Sequence, residues 1–229
     1  LSWQSIATWY HVEQPLMLCL LIGAVLLLQR RREGLAGVLA GLAVLSRTTA
    51  LMPLIALGLL LLLAGERRSL LRFGGTAAGL VVVVMAPFFL AYPSQTTYSL
   101  LTWRSSAPIG GNTVWAIFRY EGTNHILHLV DAVARRMDMY VVVLFIVAVT
   151  FFAWRRWRVS AYGAEAWALL AIALLAVPML SKTNWPYYFL EPFIFLLIWE
   201  FATMHDRVAG IWRWPMLAFC FLAVTATLS

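Results

Sequence analysis

The stretch from Leu35 to Ala64, LAGVLAGLAVLSRTTALMPLIALGLLLLLA, decides the fold because its 30 residues are apolar except around Ser46-Arg47-Thr48-Thr49. One continuous helix of this length would measure about 45 Å. That is half again the thickness of the membrane hydrocarbon, about 30 Å. We therefore predict two short helices that meet in a turn at Arg47, rather than a single kinked helix.

The remainder of the chain is as apolar as this stretch. The 229 residues are 62% hydrophobic and 12% charged, with a mean hydropathy of +0.83, whereas soluble domains are about 25% charged. So few polar residues cannot cover the interior from water, so the surrounding solvent must be lipid. We predict an all-α, polytopic membrane bundle of about seven to eight spans that forms one domain over residues 1–229. Further apolar runs lie at about 14–29, 70–91, 139–154, 164–180, 188–204 and 211–228.

The arginines support the turn at Arg47. With a reversal there, eleven of the 17 basic residues fall in short loops on one side, and a single kinked helix would break this alternation. The positive-inside rule makes that side the cytoplasm. Arginines in short loops between apolar runs also exclude a groove that follows a nucleic-acid backbone. The eleven residues are Arg30, Arg31, Arg32, Arg67, Arg68, Arg72, Arg155, Arg156, Arg158, Arg207 and Arg213.

One long polar connection, about residues 92–138, is predicted on the opposite, outer side. Pro93, Pro108 and Gly110 are typical of a loop. Its second half is amphipathic. That half forms either a helix lying on the outer membrane face or the first turn of the next span.

Candidate site residues gather on this outer side. Lys182, the single lysine of the chain, lies between two apolar runs and is followed by Tyr187, Tyr188 and Glu191. Charged residues at membrane depth face protein, water or a ligand. The lysine is a natural partner for phosphate, and the tyrosines can donate hydrogen bonds or stack on a ligand. The alternative is a Lys182–Glu191 pair buried for structure.

Further candidates lie at three other outer positions. Arg47 and Arg104 could bind phosphate, although Arg47 could also reach lipid phosphate without a specific role. His11 and Glu13 flank the start of the first apolar run, where Glu13 could act as a base or ligate a divalent metal. The alternative is an ordinary interfacial helix start. No certain cofactor or metal ligand set is predicted.

Small residues also predict one packing contact. Gly34, Gly37 and Gly41 lie along one short helix at spacings that suit close approach of a second helix.

At this point the sequence resembles the GT-C superfamily of membrane glycosyltransferases, in particular the bacterial branch related to protein O-mannosyltransferases and lipid A aminoarabinose transferases. Three pieces carry the resemblance: His11-Val12-Glu13-Gln14-Pro15-Leu16, the run from Ala36 to Arg47, and Lys182 followed by Pro186-Tyr187 and Pro192. Their order along the chain also agrees with that of the family, in which a lysine stands where this chain has Arg47.

The resemblance implies an inverting transfer of a sugar from a polyprenyl-phosphate donor to a lipid, glycan or protein acceptor at the outer face of the plasma membrane. Glu13 would be an active-site carboxylate, Arg47 and Lys182 would meet the donor phosphate, and Tyr187 would line the lipid cavity. The family's main catalytic acid is expected upstream of Leu1, so this chain could be an N-terminally truncated fragment. Rival hypotheses are a transporter or lipid flippase, and a structural subunit of a membrane complex.

Overall fold

The computed structural model describes residues 12–99, 113–115, 124–181 and 186–203, and every element within them is helical or a turn. The all-α prediction is therefore confirmed for this part of the chain. Two 3₁₀ turns, Thr48–Ala50 and Pro186–Phe189, precede helices α3 and α8. The helices are α1 (Glu13–Gln29), α2 (Glu33–Ser46), α3 (Leu51–Leu63), α4 (Arg67–Ala91), α5 (Pro93–Thr97), α6 (Asn124–Trp157), α7 (Glu165–Leu180) and α8 (Leu190–Ala202).

The chain reverses direction at Arg47. This residue has an extended backbone, with φ −160° and ψ 125°, between the end of α2 and the 3₁₀ turn that leads into α3. At the far ends of the two helices, Arg31 Nη1 lies 3.1 Å from Glu66 Oε1. A continuous helix would hold these residues about 50 Å apart. The predicted turn is therefore confirmed, and the single kinked helix is excluded.

Two helical segments are long and apolar enough to cross a membrane, judged by length and composition. They are α4, with 25 residues, and the Met137–Trp157 part of α6, with 21 residues. Helices α1, α2, α3 and α7 are apolar but shorter. Of the predicted seven to eight spans, two thus correspond to candidate membrane helices within the described residues, and the run at 211–228 lies outside those residues.

The predicted outer connection is helical at both of its ends. It begins with the short helix α5, and from Asn124 onward it belongs to α6, whose 34 residues continue without a break to Trp157. Its second half is thus continuous with the next predicted span, and it is considerably longer than the single turn that the second alternative assumed. Of the part between α5 and α6, the structure describes only residues 113–115 and, at its edge, 98 and 99.

Helix α2 packs closely against α4 through its glycines. A Cβ atom added to Gly37 would collide with the carbonyl oxygen of Phe73, and one added to Gly41 would lie 2.9 Å from the carbonyl oxygen of Ala77. A Cβ on Gly34 would meet nothing within 4 Å. The predicted packing contact is confirmed for Gly37 and Gly41, while Gly34 takes no part in it.

The apolar residues divide into a core and an outer face. Helix α7 lies in the core, with Trp167, Leu170 and Leu174 buried. Helix α4 instead exposes much of its apolar surface, and Leu90 is 85% exposed. Apolar surface of this extent calls for a covering of lipid or protein. The polar groups that this arrangement buries are correspondingly few, and several meet at one end of the bundle.

Candidate functional site

A buried carboxylate, Glu191, is the centre of the candidate site. It lies in the first turn of α8 and is 3% exposed. An ionised carboxylate is stable in such surroundings only when charged or hydrogen-bonding groups compensate for the lost water. Two side chains do so here. Arg47 Nη1 lies 3.3 Å from Glu191 Oε1, and Gln14 Nε2 donates a hydrogen bond of 3.2 Å to the same oxygen.

The helix ends explain why these three residues meet. Gln14 is in the first turn of α1, Arg47 follows the last residue of α2, and Glu191 is in the first turn of α8. Because α1 and α2 run in opposite directions, the start of one and the end of the other lie at the same end of the bundle. Because the backbone at Arg47 is extended, its side chain does not follow the helical spacing of the α2 side chains.

An aromatic ring covers the guanidinium of Arg47. Its Cζ atom lies 4.4 Å from the centroid of the Tyr188 ring, which belongs to the 3₁₀ turn before α8. An arginine held over a tyrosine face at this distance gains cation–π attraction. The Arg47 side chain is only 10% exposed, so its charge acts in a less polar environment than water provides. A shielded cation of this kind interacts strongly with anions.

The outer connection contacts the same end of the molecule. Trp115 Nε1 donates a hydrogen bond of 2.7 Å to the carbonyl oxygen of Leu180, the last residue of α7. This bond attaches residues 113–115 to the start of the connection that carries Lys182. Thr49, two residues after Arg47, is buried, and within the described residues its hydroxyl makes no hydrogen bond.

Three of the residues predicted for the site come together: Arg47, Tyr188 and Glu191. Glu13 is the first residue of α1 and partly exposed, and it precedes Gln14. Glu13 is thus adjacent in the chain to Gln14, a member of the cluster. Tyr187 lies in the 3₁₀ turn Pro186–Phe189, beside Tyr188.

Other predicted site residues, His11, Arg104 and Lys182, lie outside the described residues. The partner that the structure gives Glu191 is Arg47. The sequence alternative paired Glu191 with Lys182 instead, because those two residues are close in the chain.

Sequence reasoning assigned no role to Gln14, whereas it counted Trp115 among the aromatic and cationic residues of the outer connection that would suit a ligand. Gln14 carried one usable signal, since an uncharged amide at the start of an apolar helix needs a hydrogen-bond partner once it is buried, and it is 1% exposed. The partner of Trp115 could not be predicted, because its bond to Leu180 joins residues 65 positions apart.

A metal site is not formed by the described residues, among which no group of three or more His, Cys, Asp and Glu side chains could hold an ion.

Comparison with known proteins gives one match. The family model described as glycosyltransferase family 87 matches residues 14–181, which is most of the chain. This range contains Gln14, Arg47 and Leu180, while Tyr188 and Glu191 lie just beyond it. No curated protein and no solved structure matches the chain.

Proposed function

The chain belongs to glycosyltransferase family 87, and we propose that it transfers a sugar from a polyprenyl-phosphate-linked donor to an acceptor hydroxyl at the outer face of the plasma membrane. The acceptor would be a lipid, a glycan or a protein. In this proposal the cluster of Gln14, Arg47, Tyr188 and Glu191 holds the phosphate of the donor.

The single observation that carries the proposal is the convergence of a shielded arginine and its supporting groups at one end of an apolar bundle. A guanidinium presents five N–H donors in a planar fork, a geometry that matches phosphate oxygens. Glu191 and Gln14 fix the orientation of this fork, and Tyr188 covers one face of it. A cation that is already oriented loses little conformational entropy when the phosphate arrives.

The chemistry requires negative charge to be stabilised on the departing phosphate. The acceptor oxygen attacks the anomeric carbon, the bond from that carbon to the phosphate oxygen breaks, and its electron pair stays on the phosphate. Arg47 would offset this developing charge, with Lys182 as a second cation. Oriented positive groups in a site shielded from water are the most effective means of such stabilisation.

The acceptor proton needs a base. Glu13, next to Gln14 at the start of α1, is the carboxylate that this chain offers beside the cluster. Attack from the face opposite the leaving phosphate would invert the anomeric configuration, as the resemblance to the GT-C superfamily implies. His11, two residues before Glu13 in the chain, would assist this proton transfer.

The charge distribution supports the outer face. The turn at Arg47 and the start of α8 lie at one end of the bundle, whereas the arginine-rich turns lie at the other. Arginine-rich short loops remain in the cytoplasm. A site at the opposite end would then meet the outer leaflet, where it could take a lipid-linked donor from within the membrane.

The test is glycosyl transfer by the full-length protein in membranes, with a polyprenyl-phosphate-linked sugar as donor. Arg47→Gln should reduce transfer at least about a hundredfold, because a buried contact to a charged phosphate contributes several kcal/mol in the transition state. Arg47→Lys should retain part of the activity. Arg72→Gln removes an exposed arginine of α4 and should leave transfer unchanged.

A double variant separates phosphate binding from a purely structural role of the ion pair. Arg47→Met combined with Glu191→Gln removes both charges, so no buried charge is left without a partner. The double variant should therefore be more stable than either single variant. If Arg47 binds the donor, this folded variant remains inactive. Recovery of transfer together with stability would show that the pair serves structure only, and would overturn the proposal.

A further inference from the structure

Three connections meet at the end of the bundle opposite Arg47. The α1–α2 turn contacts the α3–α4 turn through the ion pair of Arg31 and Glu66, at 3.1 Å. The α6–α7 connection joins them, because Arg31 Cζ lies 3.4 Å from the centroid of the Tyr162 ring. Gln29 Nε2 also donates a hydrogen bond of 3.0 Å to the carbonyl oxygen of Gly163. These contacts bring the arginines of three separate loops onto one surface, which we call the basic end.

The basic end carries a large excess of positive charge. Residues 30–33, 64–69 and 155–165 contain eight arginines and three glutamates, and all eight arginines are exposed. Within the part of the chain that the structure describes, Arg31 is the one member of the set that forms an ion pair. Two of the glutamates, Glu33 and Glu66, lie within hydrogen-bond distance of the buried Ser69 hydroxyl, at 3.2 and 3.3 Å, and share its one proton. The arginines are Arg30, Arg31, Arg32, Arg67, Arg68, Arg155, Arg156 and Arg158.

Two arginines of the basic end have an unusual backbone conformation. Arg31 and Arg158 have φ values of 58° and 56°, in the left-handed region that favours glycine. The third turn of the basic end does use glycine at such a position, with Gly65 at φ 76°. Arg31 and Arg158 thus occupy backbone positions at which glycine would be less strained. Local packing gives no reason for Arg158, whose side chain is exposed.

Aromatic residues border the basic end on the α6 side. Trp154 and Trp157 lie on either side of Arg155 and Arg156, and Trp157 is 60% exposed. Its ring packs edge-on against Phe152, with centroids 5.2 Å apart. Tryptophan is enriched at the level of the lipid headgroups, where its ring contacts both apolar and polar surroundings. This arrangement favours a lipid surface over a soluble polyanion, which would need no apolar border.

We propose that the basic end is a binding surface for the phosphate headgroups of anionic phospholipids in the adjoining leaflet. Each exposed arginine near a negatively charged membrane surface adds to this attraction. Arg67 and Arg68 begin α4, and Arg155 and Arg156 lie in the last turn of α6; among the described residues, these two helices are long and apolar enough to be candidate membrane spans. The surface is distant from the Arg47 cluster and does not depend on the glycosyl transfer step.

The test measures lipid association with the full-length protein in mixed vesicles of phosphatidylcholine and phosphatidylglycerol. Spin-labelled phosphatidylglycerol should associate with the wild-type chain several-fold more strongly than spin-labelled phosphatidylcholine. High salt should reduce the difference, because the Debye length shortens from about 10 Å at 0.1 M to about 3 Å at 1 M. The quadruple variant R30Q/R32Q/R67Q/R68Q should lose most of the preference.

A charge-preserving control completes the experiment. The variant R30K/R32K/R67K/R68K keeps the four positive charges and should retain the preference for phosphatidylglycerol. The four positions are exposed and form no ion pair with described residues, so the helix content of both variants should equal that of the wild type. Equal association of the two spin-labelled lipids with the wild-type chain, or an unchanged preference in the glutamine variant, would overturn the proposal.

Discussion

At the scale of single residues, the Glu191 carboxylate determines the electrostatics of the candidate site. A buried ion pair adds little net stability over an apolar pair, but loss of one partner leaves a charge without compensation. The two contacts that Glu191 makes through one oxygen therefore act together, and neither Arg47 nor Gln14 can be changed without affecting the other.

Neutralising this carboxylate should destabilise the protein. Glu191→Gln leaves the Arg47 guanidinium buried without its counter-ion, so we expect a loss of about 3–5 kcal/mol in the free energy of unfolding. Glu165→Gln is the matched control, because Glu165 is also in the first turn of an apolar helix but is exposed. Its effect should stay within about 0.5 kcal/mol. Denaturant unfolding in detergent measures both, and equal midpoints would contradict a stabilising role for the ion pair.

The hydrogen bond from the Gln14 amide should contribute less to the free energy of unfolding than the ion pair does, but by a measurable amount. Gln14→Leu removes the N–H group that donates to Glu191, which should lower the free energy of unfolding by about 1–3 kcal/mol. Leucine has nearly the same volume, so little cavity should form. The same denaturant experiment tests this, and a variant as stable as the wild type would show that the hydrogen bond does not stabilise the site.

Part of this residue-level picture could be predicted from the sequence. Glu191, Tyr188 and Arg47 were candidates because charged and aromatic residues are conspicuous beside apolar runs. The pairing of Arg47 with Glu191 could not be predicted, since it joins residues 144 positions apart in the chain. Gln14 was missed because an uncharged amide stands out little at the polar start of a helix.

At the scale of helices, the contact of α2 with α4 is sensitive to side-chain volume at Gly37. Gly37→Ala places a methyl group against the carbonyl oxygen of Phe73. Overpacking of this kind should lower the free energy of unfolding by about 1–3 kcal/mol.

Gly34→Ala is the control for this prediction, since nothing lies within 4 Å of its added Cβ. It should raise stability by about 0.5–1 kcal/mol, because alanine favours the helix more than glycine does. Thermal unfolding of both variants checks the prediction. A Gly37→Ala variant as stable as the wild type would mean that α2 and α4 can move apart without loss of stability.

The turn between α3 and α4 depends on a glycine for a different reason. Gly65 has φ 76° and nothing near its Cβ position, so Gly65→Ala should destabilise through the backbone alone, by about 1–2 kcal/mol. Gly75→Ala, within α4 and also without neighbours, should instead be neutral or stabilising. Equal effects of the two changes on the unfolding midpoint would exclude a conformational cause.

The hydrophobic runs of the sequence predict where the helices lie more reliably than they predict how long the helices are. The reversal at Arg47 could be predicted, because the run around it is too long for one span and contains a polar break. The full length of α6 could not, since Asp131, Arg135 and Asp138 left open whether this part lies on the membrane face or leads into the next span. A polar residue interrupts an apolar run of the sequence, but the helix can continue through it, as α6 does.

At the scale of the whole molecule, the bundle has two unlike ends. Arg31 and Glu66 lie at one end, and Arg47 and Glu191 lie at the other. We expect the ends to face opposite sides of the membrane. Labelling of single-cysteine variants tests this in a background without Cys19 and Cys220. Arg30→Cys and Arg156→Cys should react from the cytoplasmic side, and the exposed Thr48→Cys should react from the outer side. Labelling of all three from one side would contradict the topology.

The hydrogen bond between Gln14 and Glu191 spans 177 positions of the chain. During synthesis, helices α1 to α7 therefore emerge before Tyr188 and Glu191, two partners of the Arg47 guanidinium, have been translated. We therefore expect these contacts to form late in biogenesis, once the N-terminal turn of α8 has left the ribosome.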